Sequence, residues 1–170
     1  IAAASAMWWL DTLRRPPERP APPEAHHEPD YYMNDFRLRA YEGAGAPRYV
    51  LDGERLAHFA DDGSAEVTEP RLRYAKATSE APWHVRGRRG ILRPGGDVVD
   101  LEQDVVLHRE PAREPPLTLR TTRMTVFTGA GRAETDRPVT VVSPGQRVAA
   151  VGMTAYFGPG LIELHQDVRG

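Results

Sequence analysis

An all-β fold is what this sequence predicts, an antiparallel sandwich of two facing sheets rolled from stacked hairpins. Three observations carry the prediction. Apolar and polar residues alternate with period two in several stretches, the mark of a half-buried strand. No window after the proline-rich region sets apolar residues at helical spacing between two caps. One cadence is also written repeatedly: "DVVDLEQDVVLH" (97–108) returns as "GLIELHQDVRG" at residues 160–170.

Taken in order, the first element is "IAAASAMWWLDTLRRPP". As a helix, Ile1 to Leu10 would rise roughly 15 Å, about half of a bilayer's hydrocarbon thickness. Three readings stay open: the trailing part of a transmembrane anchor with Trp8 and Trp9 in the headgroup belt, the remnant of a signal peptide at "ASA", or a short surface helix. The anchor helix is assigned to residues 1–13. A spacer follows at residues 14–33, carrying "PPERPAPPEAHHEP" (16–29). Proline at that density fixes φ and removes donors, so the chain there is extended. The β domain is expected over residues 34–170.

Within that domain, "DFRLRAY" sets Phe36, Leu38 and Ala40 against Arg37, Arg39 and Tyr41. "DVVDLEQDVVL" sets Val99, Leu101, Val105 and Leu107 against Asp100, Glu102 and Asp104, and "LIELHQDV" puts Ile162, Leu164 and Val168 on one face. Aligned on Pro70, Asp104, Pro138 and Asp167, which are 34, 34 and 29 residues apart, four copies appear. Three residues before each centre stand Val67, Leu101, Thr135 and Leu164; fourteen before stand Leu56, Gly90, Met124 and Met153. Each copy has a glycine turn between its arms, at Gly63, at Gly95 and Gly96, at Gly129 and Gly131, and at Gly158 and Gly160. A unit is therefore a strand, a glycine turn, a second strand and a kink at Pro or Asp. A lone hairpin is marginal in water, so the copies must stack to enclose a continuous apolar interior. The last copy, 151–170, reads as an unpaired docking edge.

Chemistry is sparse. The six histidines at 26, 27, 58, 84, 108 and 165 show no metal-ligand spacing. Ser5, Ser64, Ser79 and Ser143 stand in no nucleophile elbow. "GAGAPR" (43–48) lacks the strand and helix of a phosphate loop, and "ADDGS" (60–64) reads as a hairpin turn. Asp100 and Glu102 fall on the polar face. No enzyme and no cofactor are expected. The net charge of -2, with both signs interspersed along the chain, leaves no footprint for nucleic acid, and the absence of cysteine excludes disulfides.

Four segments carry a resemblance: "RYVLDGERLAHFADDGSAEVTEPRL" (48–72), "WHVRGRRGILRPGGDVVDLEQDVVL" (83–107), "LRTTRMTVFTGAGRAETDRPVTV" (119–141) and "VGMTAYFGPGLIELHQDVRG" (151–170). Their order and spacing, over residues 35–170, resemble the LptC family of lipopolysaccharide export. The resemblance implies an OstA-like β-jellyroll in the periplasm, held by one N-terminal inner-membrane helix in a single pass. It implies that lipopolysaccharide arrives from an ABC transporter, LptB with LptF and LptG, met through the N-terminal helix and N-terminal edge. It also implies that the lipid leaves to the soluble bridge protein LptA at the C-terminal edge, where Gly152, Met153, Tyr156, Leu161 and Glu163 are the expected contacts. The acyl-chain groove is expected to be lined by Phe36, Leu38, Trp83, Val85, Val99, Leu101, Val105, Leu107, Leu119, Phe127, Val139, Val141, Met153, Ile162 and Leu164. A soluble LptA-like bridge, and an anchored β scaffold without lipid cargo, are the alternative readings.

Overall fold

The alternating stretches form eleven strands in this computed structural model, which describes residues 27–41, 45, 47–75 and 81–170. In chain order they are β1 (Pro29–Tyr41), β2 (Pro47–Phe59), β3 (Ala65–Thr68), β4 (Arg71–Tyr74), β5 (Trp83–Arg86), β6 (Arg89–Leu92), β7 (Val98–Arg109), β8 (Leu117–Phe127), β9 (Arg132–Ser143), β10 (Gln146–Tyr156) and β11 (Leu161–Arg169). The helix expected at residues 1–13 and most of the spacer lie outside the described residues. β1 begins at Pro29, so residues 29–33, assigned in the sequence to the spacer, are strand, with Met33 opposite Leu56.

β7 to β11 run as an antiparallel meander. The long strands β2 and β7 are each shared between two short ones. β2 pairs with β4 through Tyr49–Asp52 and with β3 through Arg55–His58; β7 pairs with β6 through Val99–Glu102 and with β5 through Val106–Arg109. β3 joins β6, β4 joins β5, and β1 covers the other side of β2.

What turns this sheet into a sandwich is a line of bends. Backbone φ is positive at Asp35, Glu69, Gln103, Asp104, Gly152 and Asp167, and the ladder registers slip between Glu102 and Val105, Arg120 and Thr125, and Val151 and Met153. Aspartate visits this region more readily than most residues because its short side chain bonds locally. On β2 the line passes Gly53, where an added Cβ would stand 2.7 Å from both Phe36 Cε1 and Val67 Cγ1, so no larger residue fits. The bends at Glu69, Gln103–Asp104 and Asp167 fall at the kinks expected at Pro70, Asp104 and Asp167, and the β9 registers slip beside Pro138. The bends at Asp35 and Gly152, and the passage at Gly53, are not marked by the repeat. Each long strand thereby has two arms, and the two sets of arms face one another.

Apolar ladders line both inner faces. In the second arm one runs Leu38, Leu51, Leu72, Val85, Leu107, Leu119, Val141, Val148, a neighbour pair at every step. In the first arm Leu56, Val67, Gly90, Leu101 and Met124 do the same. Each large apolar side chain fully buried here contributes about 1.5–3 kcal/mol, which is why the paired arms are stable where one hairpin is not.

Candidate functional site

Of the residues expected to line a groove, Phe36, Trp83, Val85, Val99, Leu101, Val105, Leu107, Leu119, Val139 and Met153 are buried between the arms, and Leu38, Val141, Ile162 and Leu164 pack half-buried against them. Phe127 is a correction. Val126, opposite Ala133, takes the inward place, so Phe127 turns outward and lies beneath the Arg132 guanidinium, 4.7 Å from the ring centroid. Two adjacent apolar residues cannot share a face of a strand.

The interior is not uniform. At its centre the side chains fill the space between the arms, with Leu101, Leu107, Leu119 and Met124 wholly inaccessible. Towards the C-terminal strands this cover thins. Val141, Val148, Ile162 and Leu164 are half-buried, while Leu161 is 49% and Val168 54% exposed.

Opposite the bends, the arms meet along a seam that the sequence did not announce. Tyr49 Oη donates to the Gly96 carbonyl at 2.8 Å, and burial raises the pKa of its hydroxyl, so it remains a donor. Trp83 Nε1 donates to the Phe157 carbonyl at 3.1 Å, and the Phe157 ring lies 4.8 Å from Tyr74 and 5.3 Å from Trp83. Arg48 reaches Asp97 at 2.9 Å. Arg109 lies over Trp83 at 5.4 Å, against Gly160. The seam is imperfectly satisfied, because Nε of both Arg48 and Arg109 is buried with no partner among the described residues, a cost of roughly 1–3 kcal/mol for each such group. Among the described residues, no hydrogen bond ties the second arms of β9, β10 and β11 to the first arms. The sandwich is latched in its middle and open at its C-terminal side.

The edge needs a second correction. Gly152 and Met153 are not on it: both belong to β10, which pairs with β9 on one side and β11 on the other, and Met153 is wholly buried. Gly152, at φ +77°, is covered by His165. Among the described residues the strand with a free edge at this end is β11, paired with β10 on one side only, where Leu161 and Glu163 are exposed, with Tyr156 half-buried beside it.

The outer faces differ in charge. Over the first arms ion pairs abound: Arg89 with Glu66 and Glu102, Arg123 with Glu102, and Arg93 with Asp100. Asp100, expected to be solvated, is only 6% exposed, because Arg93 and Thr125 close over it with bonds of 2.8 and 2.6 Å. Over the second arms cross-strand neighbours form two rows. One runs Arg37, Asp52, Arg71, Arg86, Val106, Arg120, Thr140, Ala149, Arg169; the other runs Arg39, Val50, Arg73, His84, His108, Thr118, Val142, Arg147. The sole acid in either row, Asp52, is bonded to Arg37.

At the N-terminal end, His27 with Asp61 and Asp62 brings three ligand-type atoms within 4.8 Å of one another. Their separation in sequence gives no motif. His27 stacks on Phe59 at 3.9 Å and bonds Asp61 at 2.9 Å, which raises its pKa, so the geometry is explained as a ring-and-carboxylate clasp on the β2–β3 turn.

Comparison with known proteins follows the same direction. The family described as "Lipopolysaccharide-assembly, LptC-related" matches residues 1–170. Among solved structures the chain is similar to LptH of Pseudomonas aeruginosa, described as the LptA-homologous periplasmic component of the lipopolysaccharide transport device. The TM-score is 0.50 at 11% identity, covering 85% of this chain and 87% of that one. No curated protein sequence matches the chain.

Proposed function

The chain belongs to the LptC-related family of lipopolysaccharide-assembly proteins, and from that premise we propose how its two arms handle the lipid. Its function is lipopolysaccharide transport, which is not enzymatic, and its β domain is periplasmic. Acyl chains enter between the arms from the open side of β9 to β11 and advance by parting the seam. The lipid is received from the ABC transporter LptB, LptF and LptG, engaged through the N-terminal segment and the β1 edge. It leaves to LptA, which adds its own strand to β11. Residues 1–13 serve as the inner-membrane anchor.

The observation that carries this reading is the gradient of burial, from a filled centre to exposed apolar residues on β11, whose outer edge has no partner strand among the described residues. Energetics favour entry by displacement. Burying about ten methylenes contributes about 8 kcal/mol, whereas the seam's neutral hydrogen bonds contribute about 1 kcal/mol each and its Phe157 wedge about 3–5 kcal/mol. The cargo outweighs the latch, and the latch recloses when the cargo leaves.

A photo-crosslinking residue at Leu164, and another at Glu163, test this in cells. The two positions are adjacent on β11 but on opposite faces. Leu164 is expected to capture lipopolysaccharide and Glu163 a protein partner. Equal lipid capture at both positions, or none at Leu164, would overturn the groove.

A further inference from the structure

Across the second arms the fold assembles a cationic face for which neither the interior nor the β11 edge has a use. Arg39, Arg71, Arg73, Arg86, Arg120 and Arg147 all point outward from it, and among the described residues none makes an ion pair or side-chain hydrogen bond. Arg71 stands directly opposite Arg86 on the β4–β5 ladder. Like charges opposed across strands destabilise a sheet, so this placement works against the fold. The nearest acids on the bend, Asp104 and Glu69, act on Arg88. The first arms, with a similar supply of arginine, pair theirs with glutamate and aspartate.

We propose that this face docks on the surface of an anionic phospholipid bilayer. Three features favour that occupant. The rows extend from β1 to β11, and strands are spaced about 4.8 Å apart, so the charge is spread over a breadth of roughly 40 Å rather than focused on one small anion. Arginine offers a planar fork to phosphate and binds it with two parallel bonds. Exposed Tyr41 (55%) at the end of β1, and Val142 between Thr118 and Arg147, supply the apolar and amphipathic side chains that settle at headgroup level. The inference concerns the outside of the sandwich and is independent of what the interior carries.

The chain has no native cysteine, so single labels report on single faces, whatever the N-terminal segment does at the membrane. The full chain carries an environment-sensitive dye at Ala149→Cys on the cationic face, or at Thr68→Cys on the opposite outer face. It is mixed with vesicles of phosphatidylglycerol and phosphatidylcholine in equal parts, or of phosphatidylcholine alone, bearing a headgroup quencher. Quenching is expected at position 149 only, with phosphatidylglycerol only, and reduced by salt. The triple variant Arg71→Gln, Arg86→Gln, Arg120→Gln is expected to weaken it on the order of 100-fold, with a melting temperature no lower than the parent's. The corresponding lysine variants are expected to retain most of it. Equal quenching at 68 and 149, equal quenching by neutral vesicles, or capture of soluble polyphosphate without vesicle binding would overturn the proposal.

Discussion

Replacing Phe157 by alanine tests the seam most directly. The ring is 1% exposed and wedged between Tyr74 and Trp83, while its own backbone amide donates to Gly131 at 2.8 Å and its carbonyl accepts from Trp83. The substitution leaves both backbone bonds possible and removes only the wedge. Loss of a buried phenylalanine ring costs about 3–5 kcal/mol. For a chain of this size 1 kcal/mol corresponds to about 2–4 °C, so the midpoint of thermal unfolding should fall by about 12 °C. Circular dichroism melts and urea titration measure this. If the seam also limits cargo entry, a folded Phe157→Ala chain should capture lipopolysaccharide faster at Leu164 than the parent does. A loss below about 0.5 kcal/mol, within the range of ordinary surface changes, would mean that the ring is no wedge. Destabilisation with unchanged capture would refute the seam as the way in.

Three further outcomes are expected. Gly152→Ala forces a side chain into φ +77° with its Cβ 3.0 Å from His165 Nδ1, which should cost about 1–3 kcal/mol and speed amide hydrogen exchange along β11 before the rest of the sheet. Asp100→Ala strips the shared acceptor from Arg93 and Thr125 and should lower stability in urea by about 1–3 kcal/mol, with Asp100→Asn intermediate. His84 is held below its ordinary 6.5 first by burial, then by Arg73 and His108. The native state therefore favours neutral His84, so this contribution is present above 6.5 and is lost as pH falls through the lowered folded value. Proton NMR of the His84 ring should show that low titration, and Arg73→Gln should move it up; titration at or above 6.5 would contradict the field of the arginine face.

Much of the fold was legible because the repeat encodes its own geometry. Val67, Leu101 and Leu164, three residues before three of the four aligned centres, prove to be inward, and the glycine turns and the bends at Glu69, Asp104 and Asp167 fall where the repeat sets them. Phase was harder than period. At Val126–Phe127 the sequence offers two apolar neighbours, and only the cross-strand partner Ala133 decides that the first goes in. The edge was misread for a different reason: Gly152 was placed there by the resemblance alone, whereas its positive φ belongs to a bend in a strand paired on both sides.

The seam and the arginine face were invisible for a different reason, since each is made by residues that only the folded sheet brings together. Tyr49 and Gly96, or Trp83 and Phe157, are joined across the two arms, and no spacing announces them. Charge that alternates in sign along the chain is sorted by the pleat, because "RLR" and "HVR" send every second residue to the same side. The same alternation that makes one face of each strand apolar therefore makes the other collectively charged. Bending the sheet once separates these consequences, turning the apolar faces towards each other and the arginines of the second arms away from them. A substitution that erases outer charge should accordingly leave lipid capture at Leu164 intact, and one that loosens the seam should leave vesicle docking intact. Cross-effects between the two would show that the arms do not act as separate surfaces.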